Sequence, residues 1–249
     1  MHTDDRTFSN FQPPELVKLC GVNQGRWPLY VVKELLDNAA AALEEQRCPT
    51  RMIRVTIDDG WVEIWDSGDG IPDDALDVSL DFTKFGGSNR HHKLPTRGAQ
   101  GNAMMTIVGI ASVWSEGIKI GRRGAESLAL TVDVNSVRQT VDVNRLETNE
   151  RPRGSYISVG FPDLPWKRGG SDYIDIMTMI NLFAGVNPHI TFMVVDRRNG
   201  KIYSIPKLPE SKAAMTNMPQ CGAMSWFTVG EAADRLAADV RARPDMSVK

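Results

Sequence analysis

Cysteine is scarce: the chain has three, at Cys20, Cys48 and Cys221, with no CxxC spacing between any two. That pattern argues against a structural zinc site or a disulfide framework. It fits a reducing compartment. Long apolar runs are missing too. The longest mostly apolar stretch, residues 103–114, is too short to span a bilayer. The first residues, MHTDDRTFSNF, lack the basic region and apolar stretch of a signal peptide. We expect a cytoplasmic protein with no membrane association. Charge of one sign is not in excess: the net charge is −2, so no basic footprint for nucleic acid covers the whole chain. Arg122-Arg123 and Lys167-Arg168 are local basic pairs, and such pairs are ordinarily solvated surface. There is no GxxxxGK[ST], so a P-loop nucleotide site is excluded. Internal repeats, heptads and low-complexity tracts are absent. What remains is 41% hydrophobic and 24% charged, an ordinary globular composition, in a length of 249 residues that suits one large domain or two small ones.

Residues 1–25 are polar, include Pro13-Pro14, and are expected to wrap the surface. Pro28 suits the first turn of a helix. Leu29, Val32, Leu36, Ala39 and Leu43 follow at spacings of three and four, which predicts an amphipathic helix ended by Cys48-Pro49-Thr50. RMIRVTID and WVEIWD flank Asp59-Gly60 and predict a hairpin. Pro72-Asp73-Asp74 predicts a short helix over 73–80. Residues 83–101 form a Gly-rich, basic loop of a length that usually carries function. From 111 to 161, ASVWS, GIKIG, SLALTVDV, RQTVDV and SYISVGF read as successive strands. Ser171-Asp172 begins a helix running to Gly185, and ITFMVVD with KIYSI makes a last hairpin. Residues 206–226 look irregular. Thr228-Val-Gly-Glu231 is a capping-box pattern opening a helix that Pro244 closes. The order is not the strand–helix alternation of a doubly wound fold. It predicts an α/β two-layer sandwich, with helices on one face of a mixed, mostly antiparallel sheet.

Three segments carry candidate chemistry. In KELLDNAAAAL, Lys33 and Asp37 can pair on the surface, whereas Glu34 and Asn38 lie one turn apart on the side opposite the apolar stripe. In DSGDGIP, Asp66 ends a strand and Gly68 and Gly70 allow a tight turn and close ligand approach. In RGAQGNAM, Gly98 to Met104 lead from a loop into a helix, where backbone N–H groups and the helix dipole favour phosphates. Each segment alone has an ordinary structural reading: a solvated helix face, a turn, a loop. Their order and spacing together are more specific. His91-His92 read as surface, Met104-Met105 as core, and Trp61 with Trp65 as core or sheet packing on one strand face.

The three segments resemble the boxes of the GHKL ATPases, which include DNA gyrase B, heat-shock chaperones, histidine kinases and mismatch-repair MutL proteins. ELLDNA resembles the N-box, DSGDGIP the Asp-x-Gly-x-Gly box and RGAQGNAM the Gly-rich lid box. Within that family the B subunit of topoisomerase VI is the most similar, through VVKELLDNA, FTKFGGS before RGAQG, and NPHITF at 187–192. The likeness covers about residues 8–205. The resemblance implies a Bergerat ATP-binding domain over residues 1–205. Residues 206–249 would be a linker and the start of a truncated small helical region, with the transducer domain missing.

The resemblance also implies roles, with ATP and Mg²⁺ as cofactors. Glu34 would be the general base. Asn38 would hold Mg²⁺. Asp66 would accept from the adenine amine, with Gly68 and Gly70 letting the base lie close. Thr83 and Lys84 would border the nucleotide and lid. Gly98, Ala99, Gln100, Gly101, Asn102, Ala103 and Met104 would wrap the phosphates, and Ser155 would add to the adenine site. Ala103 stands where the lid box has its third glycine, and the transducer lysine that reaches the γ-phosphate has no counterpart here. The implied activity is Mg²⁺-dependent ATP hydrolysis gating a homodimer in DNA topology. Cleavage would belong to a partner subunit, and any DNA contact would be indirect or through missing regions. A non-hydrolysing nucleotide switch and another role in the family, such as mismatch repair or a histidine kinase, stay open.

Overall fold

The computed structural model describes residues 7–45, 50–83, 102–114, 116–123, 126–135, 137–138, 140–149, 154–161 and 171–207. The helices are α1 (Pro13–Cys20), α2 (Trp27–Glu45), α3 (Asp73–Ser79), α4 (Ala103–Val113) and α5 (Ser171–Val186). The strands are β1 (Met52–Asp58), β2 (Trp61–Asp66), β3 (Ile118–Ile120), β4 (Leu128–Asn135), β5 (Thr140–Glu147), β6 (Ser155–Gly160), β7 (Thr191–Asp196) and β8 (Lys201–Ile205). They form one sheet in the order β5-β4-β3-β6-β2-β1-β7-β8. Only the β1–β7 pair is parallel; the other neighbours run antiparallel. The expected α/β sandwich with a mixed, mostly antiparallel sheet is what the chain builds.

Alternation decides which side of the sheet is covered. Ile53, Val55 and Ile57 of β1 stand opposite Asp66, Ile64 and Val62 of β2, all buried. Phe192 and Val194 of β7, and Ile157 and Val159 of β6, continue that surface. Helix α2 lies across β2 and β1 and also meets α4 and α5. Val32, Leu36, Ala39 and Leu43 are buried as expected, but so are Val31, Leu35 and Ala40. The helix is therefore wedged between the sheet and other helices rather than floating with one wet face. Helix α4 is buried from Met104 to Ala111, as an all-apolar helix must be.

Two expectations change. Residues 7–20 do not merely wrap the surface. They form a 3-10 turn at Phe8–Phe11 and helix α1, and Phe11 and Leu16 enter the core. Phe11 packs on Phe82 at 5.1 Å between ring centroids, and Asn10 Nδ2 donates to the Phe82 carbonyl. Pro13-Pro14, between the two anchors, masked them as a surface segment. ASVWS is not a strand: α4 continues through Val113, carrying the spacing of Ile107, Ile110 and Ala111 onward. Trp61 and Trp65 lie on the sheet face away from the helices and are half-buried. Sheet packing holds for Trp65, which lies under the Arg54 guanidinium at 5.0 Å.

The capping-box helix after residue 227, the basic pair 167–168, the histidines at 91–92 and the cysteines at 48 and 221 lie outside the described residues. No described helix is long and apolar enough to cross a membrane.

Candidate functional site

Asp66 closes β2 in the middle of the sheet, between Ile53 of β1 and Ser155 of β6. Its side chain is only 3% exposed. Polar Asp at a strand end lets the chain leave the sheet through an Asx turn, and Asp66 Oδ1 accepts the Gly68 N–H at 2.8 Å. Burial pushes the carboxyl pKa up to about 6, while the Gly68 N–H and the Ser155 N–H and hydroxyl draw it back down. Ser155 Oγ is near enough to favour the Asp66 charge, yet it is buried and completes no hydrogen bond. Geometry decides here: the hydroxyl keeps unused capacity beside a carboxylate that has acceptor sites to spare.

Two glycines shape this end. Gly154 has φ +86°, and a Cβ there would fall 2.0 Å from the Asp66 carbonyl oxygen and 2.9 Å from Trp65 Nε1. It is the residue that lets β6 start against β2, and the sequence signal for it is a glycine just before an apolar strand. Gly70 has φ +93°, and its Cβ would meet Arg123 Cα at 2.7 Å. Gly70 thus makes the expected tight turn and packs backbone against backbone on residues 122–123.

Glu34 and Asn38 sit one turn apart on α2, both half-buried. Glu34 is not unpartnered: Lys33 Nζ lies 2.7 Å from Glu34 Oε1 and 3.0 Å from Asp37 Oδ2. The Lys33–Asp37 pair is not on the surface either, because Asp37 is buried. Burial raises the Glu34 pKa, Lys33 opposes that, and the Asp37 charge adds to the rise. Lys33 itself is desolvated, yet Asp37 and Glu34 outweigh that and raise its pKa. One turn before Glu34, burial drives the Tyr30 phenol far above its ordinary pKa; the Glu34 charge adds to this and the Thr106 hydroxyl opposes it. Thr106 Oγ1 donates to the Asn102 carbonyl at 2.9 Å. Glu34 and the first turn of α4 thereby reach the same phenol. Tyr30, Thr106 and Gly154 went unread in the sequence because each looked like an ordinary element residue.

Asn102 is the N-cap of α4, and Ala103 and Met104 form its first turn. Met104 and Met105 are core residues. Thr83 is exposed, with its N–H on Asp81 Oδ1 at 3.2 Å. Lys84, Gly98, Ala99, Gln100 and Gly101 lie outside the described residues. The structure therefore brings Asp66, Gly68 and Ser155 together, and places Glu34 and Asn38 on a helix that packs against both β2 and α4.

Among the described residues no group of three or more His, Cys, Asp or Glu could hold a metal ion. A hard ion that keeps most of its water and phosphate ligands needs only one or two protein oxygens. The Asn38 amide beside the Glu34 carboxylate fits that chemistry. A buried acceptor beside an unbonded hydroxyl fits a ligand that carries both a donor and an acceptor. The family model of histidine kinase-, DNA gyrase B- and HSP90-like ATPases matches residues 24–164, more than half of the chain. No curated protein gives a match.

Proposed function

The chain belongs to the histidine kinase-, DNA gyrase B- and HSP90-like ATPase family, and from that premise we propose that it is a Mg²⁺-dependent ATPase resembling the B subunit of topoisomerase VI. The observation that carries the nucleotide reading is the buried Asp66 carboxyl, with the buried, unbonded Ser155 hydroxyl next to it. Adenine offers an exocyclic amine to the carboxylate and a ring nitrogen to the hydroxyl. A site built to bond such groups rejects a ligand that lacks them. The nucleotide-binding unit is taken as residues 1–205.

Phosphoryl transfer to water depends on positioning and on charge stabilisation. Glu34 takes the role of general base, orienting a water and accepting its proton at the carboxylate. Lys33 favours the charged form of that carboxylate and holds it in place. Asn38 would hold Mg²⁺, which when bound neutralises triphosphate oxygens. Residues 98–104 would donate main-chain N–H groups to phosphate, with Thr83 and Lys84 bordering the nucleotide. The order of the boxes supports the likeness to the topoisomerase B subunit. It implies an ATP-gated homodimer working with a DNA-cleaving partner subunit.

A non-hydrolysing switch is favoured by one observation: Glu34 is engaged by Lys33 at 2.7 Å. Measuring ATP binding and Mg²⁺-dependent hydrolysis in wild type, Glu34→Ala and Asn38→Ala separates the readings. The ATPase reading expects wild-type turnover, binding without turnover in Glu34→Ala, and lost Mg²⁺-ATP binding in Asn38→Ala. Wild-type binding without turnover supports the switch. No adenine-nucleotide binding at all sinks both.

A further inference from the structure

The basic pair Arg122-Arg123 follows β3 and was open to reading as a surface patch. Arg122 is not one: its side chain is 14% exposed. Nε donates to the Glu126 carbonyl at 3.0 Å, Nη2 to Glu147 Oε1 of β5 at 2.7 Å and Nη1 to Asp73 Oδ1 of α3 at 3.4 Å. The backbone of the same pair grips the turn that follows Asp66. Ile71 and Arg122 form a parallel bridge, the Arg123 N–H donates to the Ile71 carbonyl at 2.9 Å, and Gly70 has no room for a Cβ against Arg123. A third ion pair, Arg145 Nη1 to Asp77 Oδ1 at 3.4 Å, joins β5 directly to the same helix. The segment from Asp66 to Asp73 is thus held from behind, with its far side tied to the β4–β5 hairpin.

We propose that Arg122 is a positioning residue for nucleotide binding, its forked ion pairs fixing the 66–73 turn so that the Asp66 carboxylate meets the base in place. The inference rests on the nucleotide reading of Asp66. A planar guanidinium can serve three acceptors in fixed directions, which an ammonium cannot. Asp73 and Glu147 are mostly solvent-exposed, so salt screens the two ion pairs while leaving the backbone bridge intact.

The test is calorimetric titration of wild type, Arg122→Gln and Arg122→Lys with ADP and with ATP, at low and high salt, alongside thermal melts. Arg122→Gln is expected to weaken ADP and ATP by the same factor, about ten-fold at low salt. Arg122→Lys should recover part of that loss. Where turnover is measured, KM rises with kcat unchanged, a split that general loosening of the fold would not give. High salt should bring wild type towards the variant. Glu147→Gln, which removes one exposed partner, guards against a variant that fails to fold and should cost about two- to three-fold. Wild-type affinity in both Arg122→Gln and Glu147→Gln overturns the inference while the Asp66 site stands. If wild type binds neither nucleotide, the nucleotide reading fails and this inference goes with it.

Discussion

Two carboxyls, the buried Asp66 and the half-buried Glu34, are both pushed towards protonation by desolvation, yet they are held by opposite means. Asp66 is held by the sheet: the Gly68 N–H donates to it, and strand register sets Ser155 beside it. Glu34 is held by a lysine whose long chain also serves Asp37. The first arrangement gives a rigid acceptor, suited to recognising a base. The second gives an adjustable carboxylate, suited to releasing its cation and taking up a water. On the proposed reading, recognition is written into the backbone and reactivity into side chains.

The largest effect should come from the adjustable end. Glu34→Gln keeps size and position but removes the proton acceptor, so hydrolysis should fall by roughly 10²–10⁴ with little change in nucleotide affinity, as single-turnover assays would show. Equal loss of binding would mean that Glu34 is part of the rigid end instead. Next comes the backbone claim. Gly154→Ala places a Cβ on the Asp66 carbonyl at positive φ, and should cost about 3 kcal/mol in urea unfolding. An unfolding midpoint like that of wild type would contradict the fixed register at Asp66.

Asp66→Asn separates affinity from stability. The folded pKa of Asp66, about 6, lies above its ordinary value of 3.8. A raised pKa contributes stability that is fully present below the ordinary value and is lost as pH rises through 6. At pH 8 the empty Asp66→Asn variant should therefore be more stable than wild type, by on the order of 1–3 kcal/mol. It should also bind adenine nucleotide roughly 100-fold more weakly. Melts and titrations from pH 4 to 8 would show whether the two effects part. A smaller change belongs to Lys33→Met: the Glu34 pKa should rise further, moving the acid limb of the pH–rate profile to higher pH. An unmoved limb would mean that Lys33 does not tune Glu34.

Much of the fold was legible because periodicity and turn chemistry agree. The α2 stripe, the Asp59-Gly60 hairpin and the β7–β8 pair fell where their residues put them. The N-terminal segment was not legible, since Pro13-Pro14 break the apolar pattern between Phe11 and Leu16 and their core contacts are long-range. The two faces of the sheet were not separable either, because Trp61 and Trp65 look the same from sequence whichever face is covered. At the site, Asp66, Glu34 and Asn38 were legible as residue types at a spacing. What they touch was not: Gly154 crossing Asp66 and Arg122 fastening the turn depend on which strands are neighbours, and Lys33 serves Glu34 as well as Asp37 on a helix face that the fold buries.

On the proposed reading, Asp66 and Ser155 receive adenine. The most direct measurement is calorimetric titration of the wild-type chain with Mg²⁺-ATP and Mg²⁺-GTP, since guanine carries a carbonyl where adenine carries its exocyclic amine. Tight ATP binding with GTP at least about 100-fold weaker is the expected result. Equal affinity for the two, or no binding of either, would contradict it.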